Sequence, residues 1–198
     1  MANIQEVIAE LESLANPANV EGMKRYGINT NGTLGVSIYV LRDIAKRIGI
    51  DHHLAVKLWE CGLHEARILA SMVEDPQLVS PDQMARWVKD FDSWDLCDQV
   101  CMNLFEKIPL ARQKIFQWAR REEEFVKRTA FALIACLAWH DKKAGDETFL
   151  CFFPVIKSGA TDERNFVKKA VNWALRNIGK RNFHLAREAI NAAQEIRQ

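Results

Sequence analysis

A chain of 198 residues with 48% apolar and 27% charged side chains is long enough to bury a sizeable core and too apolar to remain disordered. A formal charge of +1 gives no overall pull toward polyanions, and no apolar run is long enough to span a bilayer. The opening stretch from Met1 to Glu6 has neither a basic nor an apolar leader region, so the expected location is the cytoplasm.

Apolar residues recur at the helical period almost throughout and rarely alternate, which predicts an all-α fold. The first two helices are expected over 3–15 and 18–26. Gly27-Ile28-Asn29-Thr30-Asn31-Gly32-Thr33-Leu34-Gly35 then reads as an extended loop rich in turn formers, with no phosphate-cradle spacing. Helices over 37–48, 51–60 and 63–74 lead to Ser80-Pro81-Asp82-Gln83, a start signal with Ser as N-cap, Pro in the first turn and Gln where a capping box places it. Beyond the helix at 81–90, Ser93 caps one predicted over 94–107, with Leu96, Val100, Leu104 and Phe105 as its apolar stripe. Helices over 109–120, 122–140, 146–157, 162–179 and 182–196 complete the chain.

Phe125-Val126-Lys127-Arg128-Thr129-Ala130 recurs 41 residues later as Phe166-Val167-Lys168-Lys169-Ala170-Val171, and Ala66-Arg67-Ile68-Leu69-Ala70 is a looser echo. Weak self-similarity over tens of residues in a helical chain marks stacked helix pairs of HEAT or armadillo type. The expected fold is therefore a single domain over 1–198, a curved α-α superhelix of HEAT-like repeats with a concave groove; a compact bundle is the alternative. If Arg67, Asp98, Arg128 and Lys169 are equivalent positions, successive repeats present them in one row, with Asp98 the single acid.

Five cysteines, at 61, 97, 101, 136 and 151, form no C-x-x-C and read as reduced core residues, while the five histidines make no zinc-ligand spacing. No metal or cofactor is implied. Charge is uneven: residues 157–198 carry nine Lys and Arg against four acids, a net of +5, and the rest of the chain carries −4. A late basic surface of this kind suits a local anion such as a phosphate backbone, although solvated helix faces carry the same residues.

Trp94 and Asp98 are four residues apart and share a helix face, so an indole and a carboxylate stand side by side. Cleaving a glycosidic bond builds positive charge at the anomeric carbon, which a fixed carboxylate stabilises. Indole faces attract cations and give flat contact area, so Trp94 and Trp173 suit a cationic nucleotide, with Arg128, Lys168, Lys169 and Arg176 on flanking phosphates. The same residues admit a structural reading. Tryptophans on apolar helix faces are more often core, Asp98 reads equally as a surface acid or the partner of Arg128, and His64-Glu65-Ala66-Arg67 as capping rather than groove charge.

Ser93-Trp94-Asp95-Leu96-Cys97-Asp98, the Arg128 segment and Asn172-Trp173-Ala174-Leu175-Arg176 together resemble the AlkD-type DNA alkylation repair family, HEAT-like-repeat DNA glycosylases, from about Gly35 to Lys180. The resemblance implies removal of cationic N3- and N7-alkylated purines from duplex DNA, without flipping the base into a pocket; a monomer is the separate expectation. It implies that Asp98 is the catalytic aspartate, Trp94 and Trp173 the paired tryptophans and Arg128 a groove arginine. Tyr39 departs from the family, where proline is frequent. Relatives that bind DNA without cleaving it typically lack the carboxylate or a tryptophan, both present here. Two other readings stand beside this one: a non-enzymatic binder of bent, branched or damaged DNA, and a protein-interaction scaffold.

Overall fold

A computed structural model describes residues 3–197; Met1 and Ala2 of the opening stretch and Gln198 lie outside them. The described residues are helical and contain no strand. The chain divides into two compact units, 1–108 and 109–198. The first holds α1 (Ile4–Ser13), α2 (Pro17–Arg25), α3 (Ile38–Ile48), α4 (His52–Glu60), α5 (His64–Val73), α6 (Pro81–Lys89), α7 (Trp94–Asn103) and a 3-10 turn, Phe105–Lys107. The second holds α8 (Ala111–Trp118), α9 (Glu124–His140), α10 (Glu147–Leu150), α11 (Phe153–Gly159), α12 (Asn165–Gly179) and α13 (Phe183–Ile196).

Local chemistry accounts for many boundaries. Asn3, Asn16, Ser37, Asp51, Ser80 and Asn182 each accept a backbone N–H from the first turn of the helix they precede. Gln83 makes only half of its expected capping box: Ser80 accepts the Gln83 N–H, but the Gln83 amide is buried and donates to Glu74 at 2.6 Å. Ser93 occupies the N-cap position of α7 without a side-chain cap bond, its hydroxyl lying 3.4 Å from Asp92. The helix predicted over 94–107 breaks at Leu104, whose backbone leaves the helical region before the 3-10 turn. The one predicted over 146–157 splits into α10 and α11 because Pro154 has no N–H to continue the ladder.

In the first unit α5 is the central helix, packed on α3, α4 and α7, and eight of its ten residues are buried. Polar bonds at both ends set α5 and α7 in parallel register: His64 meets Asp95 near their starts, and Asn103 donates to Ser71 at 3.2 Å near their ends. In the second unit α9 is buried almost all round, as a helix apolar on every side must be. Its most extensive partner is α12. The two recurrent segments meet there: Phe125 and Phe166 have ring centroids 5.8 Å apart, and the buried Asn177 amide donates to the Ala135 carbonyl at 3.0 Å. Parallel stacking of successive inner helices within each unit is the arrangement that the repeat predicts.

The cysteine expectation needs correction. All five are free, but only Cys97, Cys101 and Cys136 are buried. Cys61 and Cys151 are exposed at helix C-termini, where each thiol donates to the carbonyl three residues back, so an apolar stretch in sequence did not place them in the core.

Candidate functional site

The first unit carries Trp94 and Asp98. Trp94 is the first residue of α7 and Asp98 the fifth, so one helical turn separates them on one face, and both are half-buried. Leu96 and Val100 on the opposite side of α7, with Cys97 and Cys101 flanking the pair, are buried in the unit. The Trp94 indole N–H donates to the Tyr26 carbonyl at 3.0 Å. Tyr26, at the end of α2, is 73% exposed and was not among the residues singled out from sequence.

Arg67 stands on α5 and is half-buried. Its guanidinium reaches the carbonyls of Trp59 and Asp90, at the C-terminal ends of α4 and α6, and lies 5.5 Å from the Trp59 ring centroid. A cation at helix C-termini answers unpaired carbonyls. His64 and Glu65, the first two residues of α5, are buried rather than groove-lining. The Glu65 carboxylate accepts the backbone N–H groups of Leu34, Gly35 and Val36 at 2.9, 2.6 and 3.2 Å. Gly35 itself has φ +78°, and a Cβ there would lie 2.3 Å from the Asn16 carbonyl oxygen.

His64 Nε2 is 2.8 Å from Asp95 Oδ2. Burial opposes charge on the imidazole, but the hydrogen bond to Asp95 and the charges of Asp95, Glu65 and Asp92 outweigh it and hold His64 above the ordinary histidine range. Asp95 is likewise opposed by burial and held below the ordinary carboxylate range by His64. Nothing local in sequence links these residues, which are 31 positions apart. That separation equals the Arg67-to-Asp98 spacing, so the same repeat register carries both.

The second unit carries the remaining candidates. Lys169, Trp173 and Arg176 recur at i, i+4 and i+7 on α12; Lys169 and Arg176 are exposed and Trp173 is half-buried. Lys168 is half exposed and lies 3.6 Å from the exposed Glu163. Val167, Ala170, Val171, Ala174 and Ile178 form the opposite, buried stripe. Arg128 is buried, and its guanidinium donates to the Phe166 carbonyl at 2.5 Å in the first turn of α12. A neighbouring cluster fixes the approach to α12: Asp162 takes hydrogen bonds from Arg164 and from Lys127 at 3.0 Å, which hold its carboxyl far below the usual range against the opposing effect of burial.

Arg67, Asp98, Arg128 and Lys169 do occupy nearly one register, the fourth residue of α5 and the fifth of α7, α9 and α12. Their surroundings differ. Arg67 and Arg128 spend donors on backbone carbonyls, whereas Lys169 is exposed.

Among the described residues no group of three or more His, Cys, Asp or Glu is placed to hold a metal ion, and no helix is long and apolar enough to cross a membrane. Residues 7–197 match the family model described as DNA alkylation repair enzyme. Among solved structures, one described as a new family of proteins related to the HEAT-like repeat DNA glycosylases with affinity for branched DNA structures superposes with a TM-score of 0.87 at 20% identity, covering 98% of this chain and 83% of the other. At that identity the likeness shows the fold alone: all-α, built of HEAT-like helical repeats. No curated protein matches the chain.

Proposed function

The chain belongs to the DNA alkylation repair enzyme family, and from that premise we propose that it is a DNA glycosylase excising cationic N3- and N7-alkylated purines from duplex DNA. The observation that carries the reading is the pairing of Trp94 with Asp98 on one face of α7, half-buried and backed by a fully buried stripe.

Alkylation at N3 or N7 leaves the purine ring cationic. When the C1′–N9 bond breaks, its electron pair passes to the ring and the base departs as a neutral molecule, so no proton donor is required. Positive charge moves to the deoxyribose. Asp98 stabilises it electrostatically and orients the water that adds to C1′ and then gives up a proton. Trp94 and Trp173 offer indole faces to the cationic nucleotide, an attraction worth roughly 0.5–2 kcal/mol per ring according to desolvation. Lys168, Lys169 and Arg176 hold phosphates. Arg128 and Arg67, proposed with them as contacts of the DNA backbone, also brace the helices that present these groups. The reaction asks for no metal or cofactor.

The test is release of free methylated purine from alkylated duplex by the purified protein, with Asp98→Asn alongside. Release is expected from the native protein and a fall of roughly a hundredfold or more in the variant, with duplex binding retained. Equal release from both sinks the assignment of Asp98. A second reading draws on the solved relative whose description gives it affinity for branched DNA: a non-enzymatic binder using the same surfaces. It predicts salt-dependent binding to a four-way junction with no free base released.

A further inference from the structure

We propose that His64 and Asp95 are positioning residues for the site, a hydrogen-bonded pair that fixes the orientation of the Trp94 indole beside Asp98. The inference rests on the reading of Trp94 and Asp98 as the groups that meet the lesion.

The contacts close a circuit. Trp94 is held from one side by the Tyr26 carbonyl. From Tyr26 the chain runs through the turn-rich loop to Gly32, whose carbonyl accepts the His64 backbone N–H at 3.0 Å. The His64 ring then bonds Asp95, which is covalently next to Trp94. Two further ties keep the loop from absorbing slack: Asn29 donates to Asp92 at 2.7 Å, and Glu65 holds Leu34, Gly35 and Val36. Moving the first turn of α7 therefore requires breaking His64–Asp95 or pulling the loop from α5.

Stability alone is a poor reason for such a pair. Two ionisable groups taken out of water gain little over an apolar pair of similar shape, and Asp95 Oδ1 is buried without a hydrogen-bond partner. What the pair supplies is a unique geometry for the adjacent indole. Charge contributes to the hold, because His64 faces Asp95 on α7, Asp92 in the turn before it and Glu65 beside it on α5, all acids. Neutral His64 would leave these carboxylates without their shared cation.

The experiment is a pH titration of the full chain followed by the indole N–H resonances, that of Trp94 being the one missing from W94F. The Trp94 resonance is expected to shift with pH together with the His64 ring, with its midpoint above the ordinary histidine range, and to stand still in H64Q. D95N, close in shape to the native side chain, serves where H64Q does not fold, and there the midpoint falls, because burial then opposes the charge without the Asp95 carboxylate. A resonance indifferent to pH in the native protein, or titrating unchanged in these variants, overturns the proposal.

On methylated duplex, both variants should release purine more slowly by up to about tenfold, no more than loss of the indole itself costs, with affinity for DNA unchanged, the signature of misplaced rather than missing contacts. Release at the native rate from a folded variant also overturns it. A native protein that releases no purine yet shows the Trp94 titration keeps the positioning pair and strikes the glycosylase reading instead.

Discussion

Trp94 donates its indole N–H to the backbone carbonyl of Tyr26, 3.0 Å away and 68 residues earlier. The ring is thereby pinned at its polar edge while one side stays open. Trp59 and Trp87 show the contrasting case: stacked at 3.9 Å with planes 3° apart, each 3% exposed, they are core. Two tryptophans on helical faces look alike in sequence, and what separates them is whether the fold spends the indole N–H on a loop carbonyl or the ring on another ring.

Replacing Trp94 by Phe should therefore cost about 1 kcal/mol of stability, the net worth of one such hydrogen bond, and keep most of the ring's contribution to release. Trp94→Ala should slow purine release by about tenfold, since about 1.4 kcal/mol of cation attraction corresponds to that factor. Thermal unfolding beside release from methylated duplex separates the two effects. Equal release from Trp94→Ala and the native protein removes the indole from the chemistry.

His64 and Asp95 set a pH window for stability. His64, held above its ordinary value of 6.5, contributes fully at pH below that value and loses its contribution as pH rises through its higher native value. Asp95, held below its ordinary 3.8, contributes fully above that value and loses its contribution as pH falls through its lower native value. The stability difference between the native chain and H64Q/D95N should be a plateau between about pH 4 and about pH 6.5 that declines on both sides. Denaturant unfolding at a series of pH values measures it; a difference independent of pH contradicts the assignment.

The helices were legible because caps and apolar periodicity are local. Ser80 caps its helix as its position predicts, and the rings of the recurrent Phe125 and Phe166 segments pack on one another. Trp94, Asp98, Trp173 and the α12 lysines could be named because residues four or seven apart share a face. The support beneath them was not legible. Arg128 reaches the Phe166 carbonyl 38 residues on, Glu65 gathers N–H groups 29 to 31 residues back, and Asp95 finds His64 at 31. Each is a long-range bond to backbone or to a side chain of ordinary type, for which sequence carries no periodic signal.

Asp162 makes a prediction in the second unit. With Arg164 and Lys127 holding it ionised far below the usual range, its contribution is complete above the ordinary carboxylate value and is lost only as pH falls through its much lower native value. Asp162→Asn should cost roughly 2–3 kcal/mol near neutral pH, because two charge-assisted partners lose their acceptor. Amide exchange in the first turns of α9 and α12 should quicken in the variant; unchanged exchange would mean that the cluster does not hold these ends together.

Lys168 and Lys169 separate the two DNA readings from the protein-interaction scaffold. Lys168 has only a 3.6 Å neighbour, Glu163, itself 93% exposed, and a pair in that much water is worth little; Lys169 is exposed. Both therefore keep their charge for a phosphate. Each phosphate contact releases counterions and adds about 0.9 to the slope of log affinity against log salt, so K168E/K169E should weaken duplex binding and flatten that slope by about 2. Purine release at saturating protein should be nearly unchanged, since phosphate contacts position the duplex without touching the breaking bond. A loss confined to affinity fits both the glycosylase and the branched-DNA binder, which the presence or absence of released base then separates. Affinity and slope both unchanged would count against either DNA reading and favour a helical-repeat scaffold whose exposed α12 face meets a protein.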